Sequence, residues 1–123
     1  MIDLRSDTVT QPTEAMLDAM QSATFGDDSR DGDATVMKLE ALAAARTGKE
    51  AATFVPSGTM SNLVSLLTHG DRGGEVLLEA TSHILNAEMG GVSTIASMFY
   101  RGLPGKRGAM DLDLLREHIR PRI

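Results

Sequence analysis

The chain contains no cysteine, which excludes disulfide bonds, catalysis by a thiolate and zinc sites with cysteine ligands. No stretch stays apolar over the roughly 18 residues that a membrane-spanning helix needs, because the longest uncharged run, residues 51–70, is interrupted by proline, glycine and polar side chains. The chain also begins without an apolar stretch behind a basic start, the pattern of an export signal. We therefore expect no export and no membrane partner, and a reducing cytoplasm fits the lack of cysteine.

Basic residues are outnumbered, since 12 Lys and Arg stand against 17 Asp and Glu and give a net charge of −5. A nucleic-acid interface needs clustered Lys and Arg, so this class of partner has little support. The one basic cluster, Arg101 with Lys106 and Arg107, is predicted to lie in a solvated loop. The rest of the composition, 41% apolar and 24% charged residues over 123 positions, is typical of a compact globular domain.

Residues 1–12 are predicted to form an extended arm, and residues 13–123 a single domain. The arm is polar, and the helical spacing of apolar residues begins only after Pro12. Residues 26–33 are acidic, contain glycine and show no periodicity, so they predict a loop. An arm, a short helix and a loop are thus expected in this order.

A second helix is predicted between a polar cap and a glycine. Asp33 or Thr35 can cap its start, and Gly48 stands where a left-handed residue is expected to end it. Apolar side chains repeat along one stripe, which is expected to pack on a sheet: Val36, Leu39, Leu42 and Ala43.

Strands and helices alternate in the rest of the chain. Buried strands are predicted at residues 51–55, 75–79 and 95–100. Helices are predicted from the turn at 57–59 to Gly70, from Ser82 to Gly90 and Gly91, and, after a turn at 103–105 and a basic loop, beyond Asp111, with Leu112, Leu115 and Ile119 facing inward. This alternation favours an α/β fold with a parallel or mixed sheet covered by helices on both faces.

The predicted sheet has only about three strands, which would leave unpaired edges and an uncovered apolar face. The chain stops at residues 120–123, where a next strand would begin. We therefore expect the sequence to be that of a truncated polypeptide.

Residues 57–59, Ser-Gly-Thr, form a small-residue turn between a predicted strand and a helix. Backbone N–H groups at such a helix start lie at the positive end of the helix dipole and can bind a phosphate, with the hydroxyls of Ser57 and Thr59 adding hydrogen bonds. The same residues also occur in plain structural turns, because a sharp turn needs glycine and a helix start favours Ser or Thr. Both interpretations are open at this point.

His83 lies just beyond a predicted strand, at the edge where ligands bind in open α/β sheets. An imidazole there could stack on an aromatic cofactor and exchange protons near neutral pH, and the alternative is a loop histidine bonded to backbone. His69 and His118 are assigned to helix C-terminal or surface positions. No metal site is predicted, because a calcium loop counted from Asp27 needs Glu at its twelfth position and finds Lys38.

Two longer blocks of sequence are the most specific motifs: residues 2–10 (IDLRSDTVT) and residues 54–60 (FVPSGTM). Shorter segments accompany them: Pro12 with Thr13, residues 26–28, Asp33 with residues 35–36, Leu39 with Glu40, residues 48–52, Asn62, residues 74–76, His83 with Ile84, Glu88 with Gly90 and Gly91, and residues 103–105. Together they resemble the threonine aldolase family, also called β-eliminating lyases, of fold-type-I enzymes that use pyridoxal phosphate (PLP). The resemblance covers the whole chain.

The resemblance implies an N-terminal arm, residues 1–12, and part of the three-layer αβα large domain of the PLP-dependent transferase (aspartate aminotransferase-like) fold. Residues 13–123 would then be an incomplete PLP-binding domain. A homo-oligomer, dimer or tetramer, is also implied, because neighbouring subunits complete the active sites in this fold. The substrate would be a small amino acid.

The activity implied is PLP-dependent cleavage of β-hydroxy-α-amino acids, such as threonine, allo-threonine or phenylserine, to glycine and an aldehyde. Gly58 and Thr59, with Ser57, would hold the cofactor phosphate. His83 would stack on the cofactor ring and act as the catalytic group that handles the proton of the β-hydroxyl. Ser6 would bind the substrate carboxylate, and supporting roles fall to Asp7, Thr8, Thr10 and Glu88.

Two departures from the family pattern qualify the resemblance. Arg30, Asp31 and Gly32 stand where Tyr-Gly-Glu is common, and Ala34 replaces a proline, so an aromatic residue at the site entrance is missing. The Schiff-base lysine, the aspartate that pairs with the pyridine nitrogen and the arginine that binds the substrate carboxylate belong to segments beyond Ile123. Lys38, Lys49 and Lys106 do not occupy the motif of that lysine, so the isolated chain is expected to be inactive.

Two alternatives to aldol cleavage stay open. The same first half of a PLP enzyme could serve β-elimination or racemisation of amino acids. A non-catalytic protein could also keep the phosphate-binding turn without the lysine and assemble with partner subunits.

Overall fold

The computed structural model describes residues 2–120, and the predicted start of a further strand at residues 121–123 lies outside them. The helices are α1 (Glu14–Ser22), α2 (Ala34–Thr47), α3 (Gly58–His69), α4 (His83–Asn86), α5 (Gly91–Thr94) and α6 (Leu112–His118). The strands are β1 (Glu75–Glu79), β2 (Phe99–Leu103), β3 (Gly105–Lys106) and β4 (Ala109–Met110). This mixture of helices and strands agrees with the predicted α/β class.

The chain forms two compact units, Met1–Phe54 and Val55–Ile123. The division expected at residue 12 stays a prediction. Within residues 2–120 no helix combines the length and the apolar character that crossing a membrane requires.

The first unit begins with an exposed arm. Arg5 and Asp3 form an ion pair at 2.6 Å, and this guanidinium holds the pKa of the Asp3 carboxyl below its usual range. A short 3-10 turn follows at Asp7–Val9, and α1 begins where the Thr13 hydroxyl accepts a hydrogen bond from the Met16 N–H. The predicted order of arm and short helix is thus confirmed.

The start and the end of α2 are formed by the residues that the sequence predicts. The Asp33 carboxylate accepts hydrogen bonds from the backbone N–H groups of Thr35 and Val36, both at 2.9 Å. Gly48 ends the helix in the left-handed conformation, with φ of 64°. Glycine is favoured there because it carries no Cβ to clash in this region.

The predicted apolar stripe of α2 is wrong in half of its members. Ala44 is buried and Val36 and Ala43 are half-buried, whereas Leu39 and Leu42 are about half exposed. The covered face of α2 consists of residues 36, 40, 43 and 44, and the two leucines lie outside this face. The described residues of this unit include no strand, so no sheet of its own covers those leucines.

The strand predicted at residues 51–55 is also wrong, since these residues have no regular structure. The Phe54 N–H, which a strand would use for its ladder, donates to Glu40 Oε1 at 2.7 Å. A strand exists only beside a neighbour that completes its hydrogen bonds, and the described residues supply none for this run.

The second unit contains a parallel pair of strands, β1 and β2, in the register Glu75↔Phe99 to Glu79↔Leu103. The predicted strand at 75–79 and the parallel pairing are therefore confirmed, while the strand expected at 95–100 is displaced toward the C-terminus. The displacement has a local cause: the Ala96 N–H donates to Gly91 O and the Met98 N–H to Val92 O, both at 3.0 Å, so residues 95–98 close a turn.

The core of this unit consists of Val92, Ala96 and Met98, which are all buried. Partly buried side chains from three other elements pack against them: Leu63 and Leu66 of α3, Val76 of β1 and Ile84 of α4. The core therefore fixes α3 and α4 against the same short segment. Predicted site residues lie at the start of each of these two helices.

Three further expectations need correction. The helix expected from Ser82 to Gly91 is broken into α4 and α5, because Gly90, with φ of 71°, caps a new helix instead of ending the old one. The basic loop is a β3–β4 hairpin whose two turn residues, Arg107 and Gly108, both have positive φ, as a two-residue hairpin turn requires. Arg101 lies in β2 and pairs with Glu75 at 3.1 Å, so it is not a loop residue.

Helix α6 begins as predicted, with the Asp111 carboxylate accepting from the N–H groups of Asp113 and Leu114. Its inward side is only partly the predicted one, because Leu112 and Ile119 are more than half exposed. Leu114, Leu115 and His118 are the half-buried residues of this helix, and they share a face at helical spacing. Leu112 and Ile119 lie to the side of that face.

Candidate functional site

The start of α3 is an open helix N-terminus. Ser57 has extended backbone angles and its Oγ accepts a hydrogen bond from the Met60 N–H at 3.1 Å, so Ser57 is the cap. The N–H groups of Gly58 and Thr59 form no hydrogen bond within the described chain. Apart from its two chain neighbours and the backbone of its own helix, no heavy atom of the described residues lies within 4 Å of the point where a Gly58 side chain would begin.

These features suit an anion. The first turn of α3 contains no acidic residue, and the helix has 12 residues, so its positive end is not neutralised by a neighbouring carboxylate. Two backbone donors and the exposed Thr59 hydroxyl are available on the open side of the turn. The sequence-based interpretation of residues 57–59 as a possible phosphate site therefore agrees with the local geometry.

His83 is the first residue of α4 and is held by a carboxylate. Its Nδ1 lies 2.8 Å from Glu88 Oε1, while the histidine side chain as a whole is 70% exposed. The Glu88 side chain is only 4% exposed. The alternative in which this histidine bonds to backbone is not what the structure shows.

A third side chain completes this cluster. Asn62 Nδ2, from α3, donates to the same Oε1 of Glu88 at 2.6 Å. Asn62 lies three residues after Thr59, so the two side chains occupy neighbouring positions on one face of α3. Thr59 and Glu88 also line a common small pocket with Ile84 and Leu63. Thr59 of the helix start and Glu88, the partner of the imidazole, thus line the same pocket.

The backbone around Glu88 explains its burial. Met89 has φ of 55° and Gly90 has φ of 71°, so two successive left-handed residues reverse the chain directly after Glu88. Methionine is uncommon in this region. The reversal leaves the Met89 side chain 95% exposed while the Glu88 side chain stays inside.

The predicted residues of the arm form a cluster of their own in the first unit. Ser6 Oγ lies 2.8 Å from Thr8 Oγ1 and also accepts from the Thr8 N–H at 3.2 Å. The Thr10 N–H donates to the Asp7 carbonyl at 2.9 Å. Asp7, Thr8 and Thr10 take part in local contacts of the arm, and their supporting roles, like the contact of Ser6 with a substrate carboxylate, stay predictions.

The remaining histidines have the simpler roles assigned to them. His118 Nδ1 lies 2.8 Å from the Leu114 carbonyl in the last turn of α6, and His69 is an exposed residue at the end of α3. Among residues 2–120 no group of three or more His, Cys, Asp or Glu is placed to hold a metal ion.

Sequence reasoning did not assign a role to Asn62 and gave Glu88 only a general supporting one. A polar residue inside an amphipathic helix is usually solvated, and the segment before Gly90 has no periodicity that would mark Glu88 as buried. The one available signal was the spacing of Asn62 from Thr59, which places both on one face of the helix.

Comparison with known proteins identifies the family. The family model described as beta-eliminating lyase matches residues 3–123. The chain belongs to this family. Members of the beta-eliminating lyase family that resemble it include the "Probable low-specificity L-threonine aldolase 2" of Arabidopsis thaliana, 47% identical over 97% of this chain and 34% of that protein.

Bacterial and fungal relatives give the same picture. The "Low specificity L-threonine aldolase" of Escherichia coli (strain K12) is 44% identical over 98% of this chain and 37% of its own length. The Saccharomyces cerevisiae protein of the same name is 32% identical over 97% of this chain and 31% of its own length. The chain thus spans about a third of the length of the curated relatives it matches.

Proposed function

We propose that the natural protein cleaves β-hydroxy-α-amino acids of the threonine type to glycine and an aldehyde, with PLP as its cofactor. The observation that carries the proposal is that an open helix start at Gly58 and an exposed imidazole at His83 lie in one unit, where Asn62 and Glu88 link their two helices. The names of the relatives support the substrate class, since those proteins are L-threonine aldolases.

The residues at the start of α3 fit the phosphate group of this cofactor. A phosphate needs several donors and no competing carboxylate, and the turn offers the N–H groups of Gly58 and Thr59 with the Thr59 hydroxyl. Ser57 caps the helix with its oxygen, and its own O–H is still able to donate to an anion. The open side of Gly58 allows close approach.

PLP, when bound, supplies an electron sink for the bond between Cα and Cβ. The chemistry left to this chain is the proton of the β-hydroxyl, which must leave as that bond breaks. His83 is suited to take it, because its ring is exposed while its Nδ1 is anchored to Glu88. None of the three lysines of the chain matches the motif of the cofactor lysine: Lys38, Lys49 and Lys106. We therefore propose that the cofactor lysine lies outside these 123 residues.

The wider expectations are proposals of the same kind. We place the second unit within a three-layer αβα domain of the aspartate aminotransferase-like fold, which is compatible with the parallel β1–β2 pair flanked by helices. The same resemblance supports two further proposals. The natural protein would be a homo-oligomer whose subunits complete one another's active sites, and it would be located in the cytoplasm.

A second candidate reaction is β-elimination, which the description of the matching family favours. It would use the same phosphate site and the same imidazole but release ammonia and a 2-oxo acid in place of glycine. Product identity separates the two reactions directly.

The test is a product profile of the natural protein loaded with PLP and given L-threonine, L-allo-threonine or phenylserine. We expect glycine and the matching aldehyde in equal amounts, and loss of both when PLP is removed. Ammonia with a 2-oxo acid, or conversion to the opposite enantiomer, would replace the proposal with elimination or racemisation. No bound PLP and no product would favour the non-catalytic alternative.

A further inference from the structure

Glu88 is the one buried residue with a charged side chain among residues 2–120. A carboxylate that has lost water must be compensated by hydrogen bonds. Here two side chains from different helices converge on a single oxygen, Oε1: the amide of Asn62 at 2.6 Å and the ring of His83 at 2.8 Å. The two partners lie on different helices, Asn62 on α3 and His83 on α4, and both helices pack against the same core.

We propose that Glu88, oriented by Asn62, is a positioning residue that fixes the proton of the neutral His83 ring on Nδ1 and leaves Nε2 as the atom that exchanges a proton with the substrate. The role of Nε2 rests on the proposed function. The position of the ring proton does not, because it follows from the hydrogen bonds within this chain.

The tautomer of the His83 ring follows from which groups around Glu88 can donate a hydrogen bond and which can only accept one. An ionised carboxylate only accepts, so both groups that contact Oε1 must donate. The Asn62 amide does so through its NH₂ group, and the His83 ring can do so only if Nδ1 carries a hydrogen. The other neutral tautomer would bring a nitrogen lone pair against an oxygen lone pair at 2.8 Å.

Few contacts other than the one with Glu88 hold the His83 ring in its orientation. α4 has only four residues, and its cap residue Ser82 forms no side-chain capping bond. The His83 side chain is 70% exposed, so packing alone gives it little restraint. The contact with Glu88 is therefore the main restraint on ring orientation, and Asn62 in turn restrains Glu88.

The first measurement is made on the wild-type ring. Selective ¹⁵N labelling of histidine in the natural protein, with the His83 signal assigned by its loss in His83→Gln, reports which ring nitrogen carries the proton. We expect a protonated Nδ1 and an unprotonated Nε2 for the neutral ring. The reverse assignment would overturn the proposal.

Glu88→Leu then tests the cause with a side chain that carries no hydrogen-bond acceptor. Because Nδ1 then has no acceptor for its hydrogen, we expect the tautomer protonated at Nε2 to become populated. The matched control is Glu117→Leu, at an exposed carboxylate of α6, which should leave the His83 signals in place. Unchanged His83 signals in Glu88→Leu would contradict the proposal.

Kinetics provide the functional readout. Glu88→Leu should lower kcat at least about tenfold, with KM changed much less, because the loss concerns proton transfer and not substrate binding. Asn62→Ala keeps the carboxylate and should lower kcat by a smaller factor. A raised KM with an unchanged kcat would contradict a positioning role. A protein with the expected tautomer but no lyase activity would contradict the proposed function and leave the positioning of His83 intact.

Discussion

The side-chain amide of Asn62 lies 2.6 Å from the carboxylate of Glu88, a contact between residues 26 positions apart in the chain. It joins the middle of α3 to the turn between α4 and α5. Because Thr59 precedes Asn62 by three residues and His83 contacts the same carboxylate, this one bond relates the proposed phosphate site to the proposed base.

Thr59→Ala should weaken the retention of PLP. The substitution removes the hydroxyl donor but leaves the helix cap, which belongs to Ser57. A hydrogen bond to a charged group is worth about 1.5 kcal/mol or more, so the dissociation constant of PLP should rise roughly tenfold. Equilibrium dialysis or absorbance titration measures it. Thr68→Ala, whose hydroxyl bonds to the Val64 carbonyl in the same helix, is the control. Equal affinities in both variants would remove Thr59 from the site.

Ser57→Ala should lower stability, because the Met60 N–H loses the oxygen that accepts from it. Loss of a serine cap costs about 1 kcal/mol. The free energy of unfolding, measured by urea denaturation, checks this value. Ser65→Ala is the matched control, since its hydroxyl bonds to the Ser61 carbonyl within α3 and is exposed. If both variants unfold at the same urea concentration, Ser57 is not the cap that the geometry indicates.

The features that sequence predicted well are those decided by a few neighbouring residues. Asp33 and Asp111 cap helices through a side-chain oxygen, and Gly48 ends one through its left-handed backbone, so each effect depends on one residue and its close neighbours. The strand at 75–79 was equally clear from its apolar run. The position of His83 just beyond the end of this strand was predicted from the same local pattern.

The features that sequence did not predict depend on distant partners. Residues 51–55 have an apolar run typical of a strand, but a strand needs a neighbour, and pairing is not encoded in the run itself. Leu39 and Leu42 have helical spacing, yet which side of α2 is covered depends on other elements. The role of Glu88 is of the same kind, because its burial arises from the left-handed turn at Met89 and from Asn62 on another helix.

Asp33 should titrate below the usual range of an aspartate. Its pKa is lowered by hydrogen bonds from the backbone N–H groups of Val36, Gly26 and Thr35. A pKa that is lower in the folded than in the unfolded state contributes stability above the unfolded value, and this contribution is lost as the pH falls through the folded value. NMR titration of the Asp33 carboxyl measures the shift. Asp33→Asn should make acid unfolding less steep, and an ordinary Asp33 titration would contradict the cap.

Val92→Ala should destabilise the second unit. Val92 is 2% exposed and lies in the cluster that holds α3 and α4 together, so its removal leaves a cavity. We expect a loss of about 2 kcal/mol in the free energy of unfolding. Val64→Ala, 41% exposed on α3, is the control and should lose much less. Similar losses would mean that the core lies elsewhere.

The most direct test of the proposed base is the rate at which the natural protein releases glycine from L-threonine after His83→Ala, compared with His69→Ala. We predict a fall in kcat of roughly 100- to 10,000-fold for His83→Ala, the range that general base catalysis contributes, with PLP still bound. His69→Ala changes an exposed residue at the end of α3 and should leave kcat unchanged. Wild-type glycine release by His83→Ala would contradict the role of His83, because the proton would then leave through another group.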